Sequence, residues 1–280
     1  MNTRYWAPAR EVPRLPELPE LEVIAEKLTE SLRGHLVRDV SVRDSTVIYG
    51  NTPDEFCAAV SGHALTSVQA DGKFLLFLFS EDRRIVINPM LTGRFRLSPA
   101  KGTHVMFSLT FDNGMTLVYS DRKRMGRVYL VFRDQYAHVA GFDGRGPSAL
   151  DPMLTLEAFS SRLRRFRGQI KNVLRNQRFV KGIGNAYADE ILLYAGILPF
   201  RRRSTLTESE IERLYTAMRE VLQRYREILR RRTLEELSTE SRDFLMIHGK
   251  SGALCPLCGG RISEVRANRF KTNFCQRCQS

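Results

Sequence analysis

Phe142-Asp143-Gly144-Arg145-Gly146-Pro147-Ser148-Ala149-Leu150-Asp151-Pro152 separates two parts of the chain with different periodicities. The string gathers Gly, Pro and Asp with little apolar content, the composition of a linker. Upstream, apolar and polar residues alternate in short runs over 36–42, 65–70, 73–79, 84–88, 94–97, 104–111, 115–119 and 127–132. Asp112-Asn113-Gly114 lies between two of these runs and is a strong hairpin signal. Short strands with turn residues between them predict a β-sandwich or barrel. Downstream the spacing is helical, predicting helices over 155–164, 168–176, 186–195 and 207–230 and a further one over 233–245. One more helix leads the strands, over 20–33. Its Leu21, Ile24, Leu28 and Leu32 share a face, Pro19 suits its first turn and Gly34 follows its end. No repeat of 20–50 residues is visible.

Composition limits the partners. The 280 residues hold 44 Lys plus Arg against 31 Asp plus Glu, a formal charge of +13. An excess of that size favours a polyanion, because neutralising phosphates releases their counterions. A basic protein with no such partner is the alternative. Apolar residues at 42% are ample for a core. No apolar run reaches the length of about 18 residues that a membrane helix needs. The first fifteen residues lack the apolar stretch of a secretory signal, so the expected location is cytoplasmic.

Four of the five cysteines fall at the C-terminus, as Cys255-x2-Cys258-x16-Cys275-x2-Cys278. Two CxxC knuckles joined by a short hairpin place four thiolates around one Zn2+, whereas two disulfides would require an oxidising compartment that nothing else in the chain supports. Four sulfurs leave no open position for water, so the expected ion is structural and holds a hairpin rich in Arg and Lys. Cys57 stands alone and reads as a small core residue.

Between two predicted helices lies Lys181-Gly182-Ile183-Gly184-Asn185-Ala186-Tyr187-Ala188-Asp189-Glu190. Two glycines permit tight turns and close approach, and Asn185 suits an N-cap whose helix terminus can receive a phosphate. Alone, such a turn is more often a plain connector. Lys171 and the cluster Arg162, Arg164, Arg165 and Arg167 tilt the reading towards phosphate binding, the other reading of the cluster being a solvated helix face.

Taken in order, Pro16-Glu17-Leu18-Pro19-Glu20, Gly182 to Glu190, Ile247-His248-Gly249-Lys250 and the terminal cysteines resemble the formamidopyrimidine-DNA glycosylase/endonuclease VIII family from Pro16 to the end. The resemblance implies a multidomain α+β protein. Residues 1–15 would be an extension, 16–141 a catalytic β-sandwich with a leading helix, 142–152 the linker, 153–245 a helix-two-turns-helix DNA-binding domain and 246–280 a zinc finger. It also implies a monomeric base-excision repair enzyme, associated with the nucleoid, that acts on double-stranded DNA containing damaged bases or abasic sites. Such an enzyme flips out an oxidised or ring-opened base, cleaves its glycosidic bond and nicks the strand by β,δ-elimination through a Schiff base. By this resemblance Pro16 is the nucleophile, Glu17 shuttles protons and Lys73 reaches the active site from a β-hairpin. His104, Lys123, Arg124, Lys171, Gly184, Asn185 and Arg269 contact DNA, and Leu91 and Met125 fill the void left by the base, unless those two are plain core residues. Glu20 resembles an acid at the same helix start, where a helix-terminal charge serves equally well. The chemistry wants a secondary amine: its iminium carries a permanent charge, and an α-amine titrates near ~8 rather than the ~10.4 of Lys.

Three features depart from the family pattern. Phe270 stands where an arginine usually grips the lesion phosphate, and Arg269 is its nearest substitute, although alternate strand residues face opposite ways. The segment from Thr233 to Gly249 looks shorter than the loop that caps 8-oxoguanine, leaving lesion preference open. Leu15 precedes Pro16, and a proline nitrogen in a tertiary amide is no nucleophile. The expectation is that translation starts at residue 15, at a leucine codon read as methionine, and that removal of that residue frees Pro16. Two other readings compete with the enzyme: a catalytically inactive member that binds damaged DNA, and a zinc-ribbon transcription factor that leaves the proline string unexplained.

Overall fold

The computed structural model describes residues 16–99, 101–238, 242–267 and 270–280. Expectations about residues 1–15 and Arg269 lie outside the described residues. The leading helix α1 (Leu18–Leu32) starts two residues earlier than the periodicity suggests, because Pro19 and Glu20 are themselves buried in its first turn.

The strands of the β unit fall where the short runs predict, although β4, β7 and β8 are buried along most of their length instead of alternating. Strands β1 (Val37–Val42) and β2 (Ile48–Tyr49) precede β3 (Leu65–Asp71), β4 (Phe74–Phe79), β5 (Arg83–Asn88), β6 (Gly93–Leu97), β7 (Val105–Phe111), β8 (Thr116–Asp121) and β9 (Arg127–Phe132). They form two sheets, ordered β1-β7-β8-β6 and β2-β9-β5-β4-β3, with every pairing antiparallel except β2 with β9. Phe77, Phe95, Phe107 and Tyr119 interdigitate between the sheets, which makes the unit a sandwich. The Asp112-Asn113-Gly114 turn joins β7 to β8 as expected, with Gly114 at φ 81°. Helix α2 (Pro53–Val60) went unpredicted. Thr52 and Glu55 cap each other's backbone at its start and Pro53 occupies its first turn, a signal carried by four consecutive residues. Cys57 is half-buried on this helix, its thiol 3.5 Å from the Val40 carbonyl oxygen.

The helical unit holds α3 (Leu156–Arg164), α4 (Ile170–Arg175), α5 (Asn185–Ala195) and α6 (Glu208–Arg230), wrapped around a core that includes Phe159, Phe179, Ile183, Tyr187 and Met218. Leu18 of α1 belongs to this second core, so the two units share the start of the chain. The expected helix over 233–245 is short: α7 spans Leu234–Ser238, and Arg242 lies on irregular backbone. Strands β10 (Ile262–Ala267) and β11 (Phe270–Cys275) close the chain as an antiparallel hairpin over a small core with Leu193 and Ile247.

Residues 142–152 are packed, not loose. Phe142 and Ala149 are buried, Arg145 pairs with Asp71 at 2.8 Å, and the Gly146 N–H donates to Gln177 O at 2.8 Å. A Cβ at Gly146 would come within 2.2 Å of Phe179 O, so the glycine permits contact with the helical unit instead of giving slack. Among the described residues, no helix is long and apolar enough to cross a membrane.

Candidate DNA-repair active site

The glycine loop before α5 receives a side chain of the chain itself. Glu17 is 3% exposed, and its Oε2 accepts hydrogen bonds from the N–H groups of Gly184 (2.6 Å) and Tyr187 (3.3 Å) while Oε1 accepts from Ala186 (2.9 Å). A carboxylate thus fills the helix N-terminus that the sequence reading reserved for phosphate. Glycine is required there: a Cβ on Gly184 would lie 2.4 Å from Glu17 Cδ, and one on Gly182, at φ 101°, would lie 2.6 Å from Leu18 Cβ. The Leu18 N–H donates to Gly182 O at 3.0 Å, completing the cradle. The loop holds the Pro16-Glu17-Leu18 string, and through it the proline.

Two cations face that carboxylate. Arg242 is 9% exposed, pairs with Glu20 at 2.6 Å, lies 3.8 Å from Glu17 Oε1 and sits over the Tyr187 ring. Burial nevertheless pushes the Glu20 carboxyl above its ordinary range, against the pull of Arg242. The Glu17 N–H donates to Glu20 Oε2 at 3.1 Å, so Glu20 also fixes the backbone beside Pro16. Lys73 projects from the β3–β4 turn, which is anchored when Asp71 pairs with Arg145 and Lys181. Burial pushes the Lys73 amine below its ordinary value, Glu17 draws it back up, and Arg175 pushes it further down. Pro16 is partly exposed and lines a cleft with Glu20, Leu21, Arg94, Leu237 and Arg242.

The remaining residues read from the sequence divide into two sets. His104, Lys123, Arg124 and Met125 are exposed on the turns before β7 and after β8, and Leu91 is partly exposed on the loop before β6. Met125, 39% exposed, is not the core residue that one reading allowed. Buried Asp121 ties these turns together: it accepts from Thr92 Oγ1, Lys123 N (3.1 Å) and Gly126 N (2.6 Å), and its own N–H donates to His104 O at 2.9 Å. Arg124 is paired with Asp44 at 2.6 Å.

Lys171 and Asn185 are turned inward. Lys171, 4% exposed, pairs with Asp189 at 2.6 Å and donates to Lys271 O and Thr272 Oγ1. The expected phosphate ligand is therefore spent on docking β11 against α4 and α5, since leaving Asp189 buried and unpaired would be costly. Asn185 is the first residue of α5, one past the N-cap, and its Nδ2 donates to the same Lys271 carbonyl at 2.9 Å.

Sequence reasoning missed Asp121, Asp189, Glu190, Arg175 and Arg242. Glu190, fully buried, accepts from Tyr225 Oη and from the N–H groups of Met246, Ile247 and His248. Adjacent acids at 189 and 190 on an otherwise apolar helix were a usable signal, whereas Arg242 carries none.

Cys255, Cys258, Cys275 and Cys278 bring four Sγ atoms within 4.8 Å of one another, with none in a disulfide. The Cys255–Cys278 and Cys258–Cys275 separations of 3.8 and 3.4 Å approximate the edge, about 3.8 Å, of a tetrahedron with Zn–S bonds of about 2.3 Å. The donor set can hold a metal ion.

A sandwich and a helical unit that meet at one buried acid beside a proline, with a cysteine ribbon docked on the helical unit, define the class: a mixed α+β protein whose site lies where the first two units meet. The profile of the formamidopyrimidine-DNA glycosylase N-terminal domain matches residues 15–128, and that of the H2TH domain of the same enzymes matches residues 145–231. A formamidopyrimidine-DNA glycosylase of Moorella thermoacetica is 36% identical, over 90% of this chain and 95% of its own length; one of Pelotomaculum thermopropionicum is 33% identical over 95% and 99%. The crystal structure of the MutM (Fpg) protein of Thermus thermophilus superimposes with a TM-score of 0.83 at 32% identity, covering 94% of this chain and 98% of that one. The Lactococcus lactis enzyme, solved bound non-covalently to DNA with an abasic site, gives 0.84 at 25% identity over 94% and 99%. The chain belongs to the formamidopyrimidine-DNA glycosylase family.

Proposed function

We propose that the protein is a bifunctional DNA glycosylase and abasic-site lyase of base-excision repair. The observation that carries this reading is the Glu17 carboxylate, held by three backbone N–H groups next to Pro16 and facing Lys73 and Arg242. The Pro16 nitrogen, once free of its amide to Leu15, attacks C1′ of the damaged nucleotide as the C1′–base bond breaks and the departing base takes a proton. Opening of the sugar gives an iminium, which draws electrons so that protons next to it can leave and the two phosphates depart in turn by β- and δ-elimination. Glu17 Oε1 accepts from the Ala186 N–H and faces Arg242, and a carboxylate so held can take up and return those protons. Lys73, whose amine loses its proton more readily than an ordinary lysine, assists from the β3–β4 turn. Leu91 and Met125 fill the place of the extruded base, and His104, Lys123 and Arg124 contact the strand. Zn2+ is the ion the four thiolates suit. It would hold the terminal hairpin and supply no step of the reaction.

The 280-residue form favours a second reading for itself, since Leu15 blocks the Pro16 nitrogen: binding of damaged DNA without cleavage. The family profile begins its match at residue 15, which supports a mature chain that starts at Pro16. Both forms should be assayed on duplexes containing an abasic site, a ring-opened purine or an oxidised pyrimidine. The Pro16-terminated form should excise and nick while the full chain only binds. If neither form cuts any duplex, the enzymatic reading fails.

A further inference from the structure

Helix α4 carries Lys171 and Arg175 one turn apart, on one face. Strand β11 runs alongside, so that Lys271 and Thr272 meet Lys171 while Phe270 meets Arg175. The two cations fare differently. Lys171 is neutralised by Asp189. The Arg175 guanidinium lies 3.8 Å from the centroid of the Phe270 ring and has no hydrogen-bond or ion-pair partner among the described residues, although its Nε is buried. Arg175 is half-buried, and an Nε withdrawn from water without an acceptor carries a cost that an aromatic face offsets only in part. Glu17 and Asp189 both attract it from a distance, and Arg175 in turn is felt at Lys73, so it stands at the edge of the active site. Phe270 is 45% exposed, which leaves this corner open to an incoming strand.

Resting on the assignment of Pro16, Glu17 and Lys73 as the reacting corner, we infer that Arg175 is a phosphate ligand for the nucleotide under repair, with Phe270 as its positioning residue. A sugar seated at Pro16 carries its own phosphates beside it, and an unpaired planar guanidinium is suited to grip one with two parallel N–H bonds. Phe270 cannot contact a phosphate through hydrogen bonds. Its ring instead holds the Arg175 fork flat and ready. In this chain the grip comes from the helical unit, while the zinc hairpin supplies the platform.

Equilibrium binding of the full chain to a duplex with a tetrahydrofuran abasic analogue, and to the same duplex intact, tests this without requiring catalysis. The variants are Arg175→Met, Arg175→Lys, Phe270→Ala, the double variant Arg175→Met/Phe270→Ala, and Arg269→Ala for comparison, each checked for thermal melting and bound metal. Arg175→Met should weaken binding to the analogue by about 10-fold or more, and lower the slope of log affinity against log salt by about 1. Arg175→Lys should recover part of the loss. Phe270→Ala should weaken binding only when Arg175 is present, adding nothing in the double variant. Unchanged affinity and salt slope in a well-folded Arg175→Met overturn the inference, as does loss confined to Arg269→Ala. A parent chain that does not prefer the analogue over intact duplex overturns the assignment of the reacting corner, and the inference with it.

Discussion

Lys73 is the residue where burial and charge compete most openly. Its amine has a folded pKa below the ordinary 10.5, chiefly because burial disfavours the charge. Between the folded and unfolded values the unfolded chain binds more protons, so this group's contribution to stability improves as pH rises through that window, and its full penalty is present below it. Lys73→Met should therefore raise the melting temperature at pH 7, with the gain shrinking as pH climbs towards 10. A gain that stays constant across that range would show that the lysine is not desolvated. In sequence, Lys73 was found only by its resemblance to a hairpin lysine, because a lysine after Asp71-Gly72 is ordinarily solvated. Arg242 was not legible at all: it enters the site from irregular backbone far along the chain, and its burial is decided by Glu17 and Glu20.

At the scale of elements, the loop from Lys181 to Asn185 shows what local pattern can and cannot convey. That it precedes a helix and needs glycine was readable from the two glycines and the apolar run after them. What fills the helix N-terminus was not, because the occupant, Glu17, lies far away in sequence, and a carboxylate and a phosphate satisfy the same N–H groups. Gly184→Ala separates the two. With a Cβ 2.4 Å from Glu17 Cδ the acid must leave its cradle, so this variant should lose stability by about 1–3 kcal/mol and lose base excision with it. Had the loop served only phosphate, melting would stay close to the parent while DNA affinity fell. The sandwich strands were legible from short apolar runs broken by turn residues, but strict alternation fails in the five-stranded sheet because both its faces are buried, Phe77 and Ile85 against the other sheet and Phe74, Leu76 and Val86 in a second cluster with Phe142. Helix α2 was overlooked although Thr52-Pro53-Asp54-Glu55 spells its capping box.

For the whole molecule, the terminal hairpin is joined to the rest by inward-turned polar groups of the helical unit, which dock it and take no part in the reacting corner. Lys171, Asp189, Asn185 and Asn273 connect β11 to α4 and α5, and Cys255 and Cys275 sit in a core with Leu193 and Ile247. One bound metal per chain, measured by atomic emission, is expected. Its removal with a chelator should release β11 and weaken binding to damaged duplex without unfolding the sandwich. Loss of the sandwich in the same step would mean that the units do not fold separately. The order of the units was visible in the change of period at residues 142–152, but that stretch is itself packed between them through Phe142, Arg145 and Gly146. Long-range packing of that kind leaves no periodic trace.

The central claim is that Pro16, as a free amine, forms the covalent link to the sugar. Borohydride reduction during reaction of the Pro16-terminated chain with abasic duplex, followed by mass mapping of the linked peptide, tests it directly. A single reduced adduct on the nitrogen of Pro16 is predicted. No adduct, or one carried by Lys73 in its place, would contradict the account.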